Sequence, residues 1–385
     1  MKKILTVLCT ACLIAGSTSL TGFKLQTESA KLTTGCKSAY LMDYDSRECI
    51  YKENELVHMP IASVCKVMTF TLAMEAIGEG KISLEDTITA SENAAGMGGS
   101  QVFLGSGCQY TVDQLLKSIV VCSANDSCVA ISEAVAGSEE SFVSQMNKKA
   151  VELGCNDTLF ANCTGLPKDT QYSCAHDVAL MFKNLLAFDN YFNYSKIWLE
   201  DFVHPDNRTT SMTNTNKLIR KYNLCDGGKT GFTNEAGFCL AATAKKDNMR
   251  LVSVILGADS SDNRFDSAIN LFNFGFANYK NKIILDKDVT LNDEFAVIGG
   301  KKPTFIVCPE RNCYVFSEAD KAPEVTYNII ANNVKAPVNK GQQVGVVEIY
   351  KDGILYDTVN IVSAEDVKKA GFGDNFVNIS GKWAI

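Results

Sequence analysis

The sequence predicts an α+β protein, with helices packed on an antiparallel sheet, followed by a small all-β domain. Three observations lead there. Across residues 39–279, short apolar strands open and close the segment while amphipathic helices fill its middle. From about Lys282 the texture changes to short β-rich runs separated by turns. The chain has 385 residues, 46% of them hydrophobic and 21% charged, with 7 Pro against 27 Gly. That is enough apolar material for two domains and too little bias for a disordered, collagen-like or coiled-coil chain. The expected divisions are a leader over 1–30, a first domain over 31–279, a β-rich domain over 283–370 and a tail over 371–385.

The elements follow in order. Lys2 and Lys3 precede an apolar run over residues 4–15 and small residues over 16–19, the layout of a secretory signal. The run is too short to cross a bilayer of roughly 30 Å, and no other stretch reaches the ~18 apolar residues a spanning helix needs. The mature protein is therefore expected to work outside the cytoplasmic membrane, secreted or on its outer face. Residues 38–43 and 49–51 read as strands joined by a polar turn over 44–48. A helical run opens near Ser63 and continues to Gly78. Thr111-Val112-Asp113-Gln114 is a capping box, and Ser138 caps a further helix that Gly154 closes. Residues 238–244 and 251–256 pair across a turn over 245–248. In the β-rich part, strands are expected over 305–307, 325–330 and 344–350, and Lys351-Asp352-Gly353 before Ile354 is a hairpin signal.

Composition excludes several functions. Lys plus Arg is 37 and Asp plus Glu is 44, so the net charge of −7 gives no general reason to hold nucleic acid or an anionic membrane. Of 15 Cys, Cys9 and Cys12 fall in the leader; the other thirteen lack the spacing of a disulfide scaffold or a metal pair and read as free, mostly buried thiols. His58, His176 and His204 are the only histidines, and none sits in a spaced ligand cluster. No metal and no cofactor are expected, and a nucleophile here must be activated by something other than His.

Lysine can do this. Ser63-Val64-Cys65-Lys66 places a hydroxyl in the first turn of a helix and an amine one turn later on the same face. A lysine desolvated there and flanked by another cation can accept the serine proton. Cys65 lies two residues beyond Ser63, about 200° around the helix, and is expected to face the core. Ser123-Ala124-Asn125 follows at a break between two apolar helices, where a loop can present a hydroxyl and an amide to a cleft. Lys229-Thr230-Gly231 leads into the late hairpin, where an ammonium and a hydroxyl can hold a carboxylate and Gly231 leaves room for close approach.

Ser-x-x-Lys, Ser-x-Asn and Lys-Thr-Gly in this order are the signature of penicilloyl serine transferases. With Leu104-Gly105-Ser106-Gly107, Asn125-Asp126-Ser127-Cys128 and Phe232-Thr233-Asn234-Glu235-Ala236-Gly237, the chain resembles the low-molecular-mass penicillin-binding proteins of the penicillin-binding protein 5 type, which are D-alanyl-D-alanine carboxypeptidases. The resemblance covers residues 36–277, and residues 283–370 resemble that family's C-terminal domain. It implies a β-lactamase/transpeptidase-like fold, peptidoglycan pentapeptides as substrate and β-lactams as covalent inhibitors. It also implies roles: Ser63 as nucleophile, Lys66 as its base, and Ser123 with Lys229 as a proton relay. Asn125 would hold the acyl side chain's amide, the N–H groups of Ser63 and Phe232 would form the oxyanion hole, and Thr230, Gly231 and Arg264 would lie near the terminal carboxylate. Arg264 has an alternative as a surface helix residue. Two other readings compete: a β-lactamase-type hydrolase, disfavoured because residues 165–177 hold no Glu, and a non-catalytic wall-binding protein. The tail over 376–385 carries an apolar stripe interrupted by Gly381, enough for weak membrane association at most.

Overall fold

The computed structural model describes residues 31–291 and 295–371; the predicted leader over 1–30 and residues 372–385 of the predicted tail lie outside them. Strand β1 (Ser38–Asp43) is buried at all six positions. Side chains alternate across a strand, so Tyr40 and Met42 enter one core and Ala39 and Leu41 another. A sheet covered on both faces follows. Its other strands are β2 (Cys49–Glu53), β3 (Cys225–Thr233), β4 (Gly237–Lys246) and β5 (Met249–Ala258). They lie in the order β2-β1-β5-β4-β3, and every pairing is antiparallel. The expected hairpin is β4–β5, with its turn tightened to Asp247 and Asn248 and Asp247 at φ 51°. Lys-Thr-Gly lies within β3, an edge strand, rather than ahead of the hairpin.

One face carries α1 (Lys66–Gly78), α2 (Val112–Val121), α3 (Asn125–Ala136), α4 (Glu139–Glu152) and α5 (Ala175–Leu185). Ten of the thirteen α1 residues are buried, as a helix apolar on all sides requires. The Thr111–Gln114 capping box forms in both directions, and Ser138 accepts from the Ser141 N–H at the start of α4. The opposite face is covered by α6 (Ser261–Asn278), whose Phe265, Leu271 and Phe272 pack on Leu240, Leu251 and Ile255.

The second part of the chain is all β. Strand β6 (Tyr279–Leu285) pairs with β7 (Cys313–Glu318), while β8 (Val325–Ala331), β9 (Gln343–Lys351) and β10 (Ile354–Ser363) form a sheet with Val307–Pro309 on its far edge. Asp352 and Gly353 both take positive φ, 52° and 79°, as a two-residue type I′ turn between β9 and β10 needs. The strand expected over 305–307 is divided: Thr304–Phe305 pairs with Phe295–Ile298, whereas Val307–Pro309 pairs with β10. The chain passes from one sheet to the other at exposed Ile306. At the junction with the first part, Tyr279 stacks on Phe316 at 5.1 Å, and Asn281 donates to Asp43 at 2.8 Å.

All thirteen described cysteines are free, nine of them buried. Burial pushes the thiol pKa up, as at Cys65 and Cys128, both to about 12. They act as small hydrophobes.

Candidate active site

Ser63 sits in a 3-10 turn, Ala62–Cys65, which runs directly into α1. Lys66 is the first residue of α1 and is 1% exposed. Its Nζ donates to Ser63 Oγ at 2.9 Å and to the Thr164 carbonyl at 2.6 Å. Cys65 turns away, its thiol donating to the Asn162 carbonyl at 3.3 Å.

Ser123 occupies the break between α2 and α3 at φ +65°, a region costly for a residue with a side chain. The strain aims its Oγ at Lys229, whose Nζ donates to it at 2.8 Å and to the Thr230 carbonyl at 2.9 Å. Lys229 is held well below the ordinary lysine pKa, first by complete burial and then by the nearby Lys66 charge. Two serine–lysine pairs therefore converge.

Asn125 Nδ2 donates to the Gly98 carbonyl at 2.7 Å, and its backbone N–H donates to Ser100 at 2.7 Å. Its Oδ1 is buried with no partner in the protein. A buried acceptor left open costs free energy unless something donates to it. Thr230 Oγ1 donates to Thr215 Oγ1 at 2.7 Å, and the Thr215 N–H donates to the Val121 carbonyl at 3.0 Å. Phe232 is half exposed, its ring against Phe238 at 4.4 Å.

Gly231 is required by close approach. A Cβ there would lie 2.8 Å from the Ile61 carbonyl oxygen and 3.0 Å from Ser63 N. Gly165, at φ +81°, is tighter still, since its Cβ would fall 2.0 Å from the Ala62 carbonyl oxygen. Two chain segments thus press on the Ser63 backbone from either side. Asn162 Oδ1 shapes one of them, accepting from the N–H groups of Thr164 and Gly165 at 3.2 and 2.7 Å.

Arg264, in the first turn of α6, is 6% exposed, so the surface-helix alternative does not hold. Its Nη1 donates to the Gly231 and Cys239 carbonyls at 3.3 and 3.2 Å, and its guanidinium lies 4.5 Å over the Phe265 ring. Burial lowers its pKa to about 10. It braces the Lys-Thr-Gly strand through backbone carbonyls. The sequence reading missed Thr164, Thr215 and the loop over 98–105. Two of these contribute backbone carbonyls, which carry no residue-type signal; Asn162-x-Thr164-Gly165 is a legible Asx turn.

A serine paired with a desolvated lysine, a second such pair, an open amide acceptor and an edge strand beside the nucleophile define a serine-nucleophile acyl-transfer site. None of the described histidines hydrogen-bonds to it: His58 meets Asp157, His176 meets Asp177, and His204 meets Tyr110 and Thr210.

Comparisons with known proteins agree. Residues 24–260 match the family described as D-alanyl-D-alanine carboxypeptidase, and residues 279–369 match the penicillin-binding protein 5 C-terminal domain. The chain belongs to the D-alanyl-D-alanine carboxypeptidase family of serine peptidases. It is 36% identical over 357 residues to D-alanyl-D-alanine carboxypeptidase DacF of Bacillus subtilis, covering 92% of each chain. With DacC of Escherichia coli it shares 32% identity over 344 residues, 86% of this chain and 84% of that one. Among solved structures, penicillin-binding protein 5 of Haemophilus influenzae is 29% identical with a TM-score of 0.67, covering 87% of this chain and 98% of that one. Penicillin-binding protein D2 of Listeria monocytogenes, solved in an ampicillin-bound form, is 25% identical with a TM-score of 0.58, covering 64% of this chain and all of the other.

Proposed function

We propose that this D-Ala-D-Ala carboxypeptidase removes the terminal D-alanine from peptidoglycan pentapeptides through an acyl-enzyme on Ser63. The observation that carries this is the 2.9 Å contact between Ser63 Oγ and the Nζ of Lys66, a lysine only 1% exposed. Lys66 takes the Ser63 proton as Oγ attacks the penultimate D-alanine carbonyl. The developing oxyanion is held by the N–H groups of Ser63 and Phe232. The proton that Lys66 took passes by way of Ser123 and Lys229 to the leaving amine, which frees Lys66 for the second step, and the depressed pKa of Lys229 suits it to proton traffic. D-Alanine departs and water, activated by Lys66, cleaves the ester. Asn125 Oδ1 accepts the N–H of the substrate amide, which fills its open acceptor. The Thr230–Thr215 hydroxyl pair and Gly231 receive the terminal carboxylate, while Arg264 acts behind them as a brace.

Residues 165–177 contain no Glu, which favours this reading over a β-lactamase. Action outside the cytoplasm fits the leader-like first residues. Among the described residues no helix is long and apolar enough to cross a membrane. Incubation with benzylpenicillin tests the assignment: one penicilloyl group is expected on Ser63, and label that persists in Ser63→Ala sinks it. D-Alanine release from a pentapeptide, with nitrocefin turnover alongside, separates peptidase from β-lactamase.

A further inference from the structure

We propose that Cys174, His176 and Asp177 form a binding site for a divalent cation of the Zn2+ class, distinct from the Ser63 centre. The sequence spacing matches no metal motif, and only folding reveals the set. Cys174 is the N-cap of α5, and its Sγ accepts from the Asp177 N–H at 3.4 Å. His176 Nδ1 lies 3.0 Å from Asp177 Oδ1. One donor atom from each residue falls within 4.8 Å of the other two.

The chemistry of the donors selects the ion. A thiolate, an imidazole and a carboxylate are a borderline-soft set that suits Zn2+ and its Co2+ substitute better than Mg2+ or Ca2+. An ion at the centre of a triangle with 4.8 Å edges lies at most roughly 2.8 Å from each corner, so side-chain shifts of roughly 0.5–0.8 Å bring all three into bonding range. Three protein ligands leave a fourth position for water.

The outer shell is already built. Asp177 Oδ2 accepts from the Asp157 N–H at 2.8 Å and from Thr158 Oγ1 at 2.9 Å, which leaves Oδ1 to face the ion. The edge of Tyr40 packs on the His176 ring at 5.4 Å and fixes its plane. Asp177 is 2% exposed in its side chain and His176 34%, so the ion enters past the histidine. On binding, the Cys174 thiol proton leaves to solvent, the thiolate takes its place on the metal, and the His176 imidazole binds through Nδ1 with a proton on Nε2. The two anionic ligands suit the positive N-terminal end of α5.

The site would brace the first turn of α5, which Asp177 Oδ2 already ties to Asp157 and Thr158. It also adjoins Ser173, whose backbone pairs with Met59 at 2.8 and 3.0 Å, four residues before Ser63. Its role is to hold this frame, not to take part in the reaction.

Co2+ titration of the full, reduced, chelator-stripped chain tests the proposal. One equivalent should produce tetrahedral d–d bands and a thiolate-to-metal charge-transfer band, which Zn2+ then bleaches. Cys174→Ser, which keeps an N-cap side chain and so folds, should abolish the charge-transfer band. His176→Ala should weaken binding at least tenfold. Zn2+ should raise the unfolding midpoint of the parent chain and leave that of Cys174→Ser unchanged. Absence of the band overturns the proposal: the three groups are then a helix cap and a His–Asp pair only. A band that survives Cys174→Ser overturns it too, placing the metal on other thiols. Benzylpenicillin labelling of Ser63 should be the same with and without metal; loss of labelling on chelation overturns the separation of the two sites.

Discussion

In the proposed mechanism Lys66 and Lys229 have the same side chain and different tasks, and their surroundings say how to separate them. Lys66 touches the nucleophile directly, so Lys66→Arg should abolish penicillin labelling at every pH, because a guanidinium does not release its proton. Lys229→Arg should label slowly, since a cation can still reach Ser123. Equal and complete loss in both variants would show that the roles are not divided in this way. The depressed pKa of Lys229 also has a stability consequence. The unfolded chain binds this proton more tightly than the folded one, so folding is penalised at neutral pH. The penalty fades as pH rises from the depressed value towards the ordinary lysine range. Lys229→Met should therefore lose activity yet melt a few degrees higher at pH 7, the gain shrinking towards pH 10. A gain independent of pH would refute the burial argument. Asn125→Ala should cut acylation by peptide about tenfold, as loss of one hydrogen bond to substrate does, and should melt somewhat lower because the Gly98 carbonyl loses its donor.

At the scale of elements, the site depends on three segments pressed together: the Ala62–Cys65 turn, the chain around Gly165 and strand β3. Gly231→Ala drives a methyl group against the Ile61 carbonyl and Ser63 N, so β3 must move outward. The expected cost is about 1–3 kcal/mol of stability, together with an acylation loss much larger than that expected of Gly228→Ala, whose methyl would press on Asn216 and the Ala241 carbonyl instead of on Ser63. Comparable losses in both would point to general damage to β3. The elements themselves were largely legible. The capping box at Thr111, the cap at Ser138 and the hairpin β4–β5 form from local signals that the sequence carries openly. Strand β3 was not, because Asp226-Gly227-Gly228 reads as a turn; pairing with β4 overrides that local preference. The resemblance placed Arg264 at the site, but the helix pattern left a surface position open for it, for a related reason. A charged residue in a helix's first turn reads as exposed, and only the carbonyls of Gly231 and Cys239, brought together by the sheet, give it somewhere to go. Side chains that the structure brings together, Ser63 with Lys66 and Ser123 with Lys229, were legible by residue type and motif; a backbone carbonyl such as that of Thr164 was not.

For the whole molecule, the question is how far the β-rich part supports the catalytic part. The contacts at the junction are of two kinds. Lys351 and Glu48 form an ion pair at 3.1 Å with side chains 22% and 44% exposed, a geometry worth at most about 1 kcal/mol. Phe316 instead enters the core formed with α6, stacked on Tyr279, and Asn281 reaches the buried Asp43. Apolar burial of that kind stabilises by roughly 1.5–3 kcal/mol for one large side chain, so Phe316 and not the ion pair should hold the junction. Ser63, Lys66, Ser123 and Lys229 all lie on elements before residue 234, and the β3–β4–β5 pairing is complete without the second part. Phe316→Ala should thus lower the unfolding midpoint by several degrees and Lys351→Ala by no more than about one, while both leave the rate of benzylpenicillin acylation within about twofold of the parent. The measurement is a melt and a labelling time course on the same samples. A Phe316→Ala variant that melts normally would remove the aromatic contact as the tie. One that melts lower and also acylates tenfold more slowly would show that the β-rich part sets the geometry of the Ser63 site rather than only supporting the sheet beneath it.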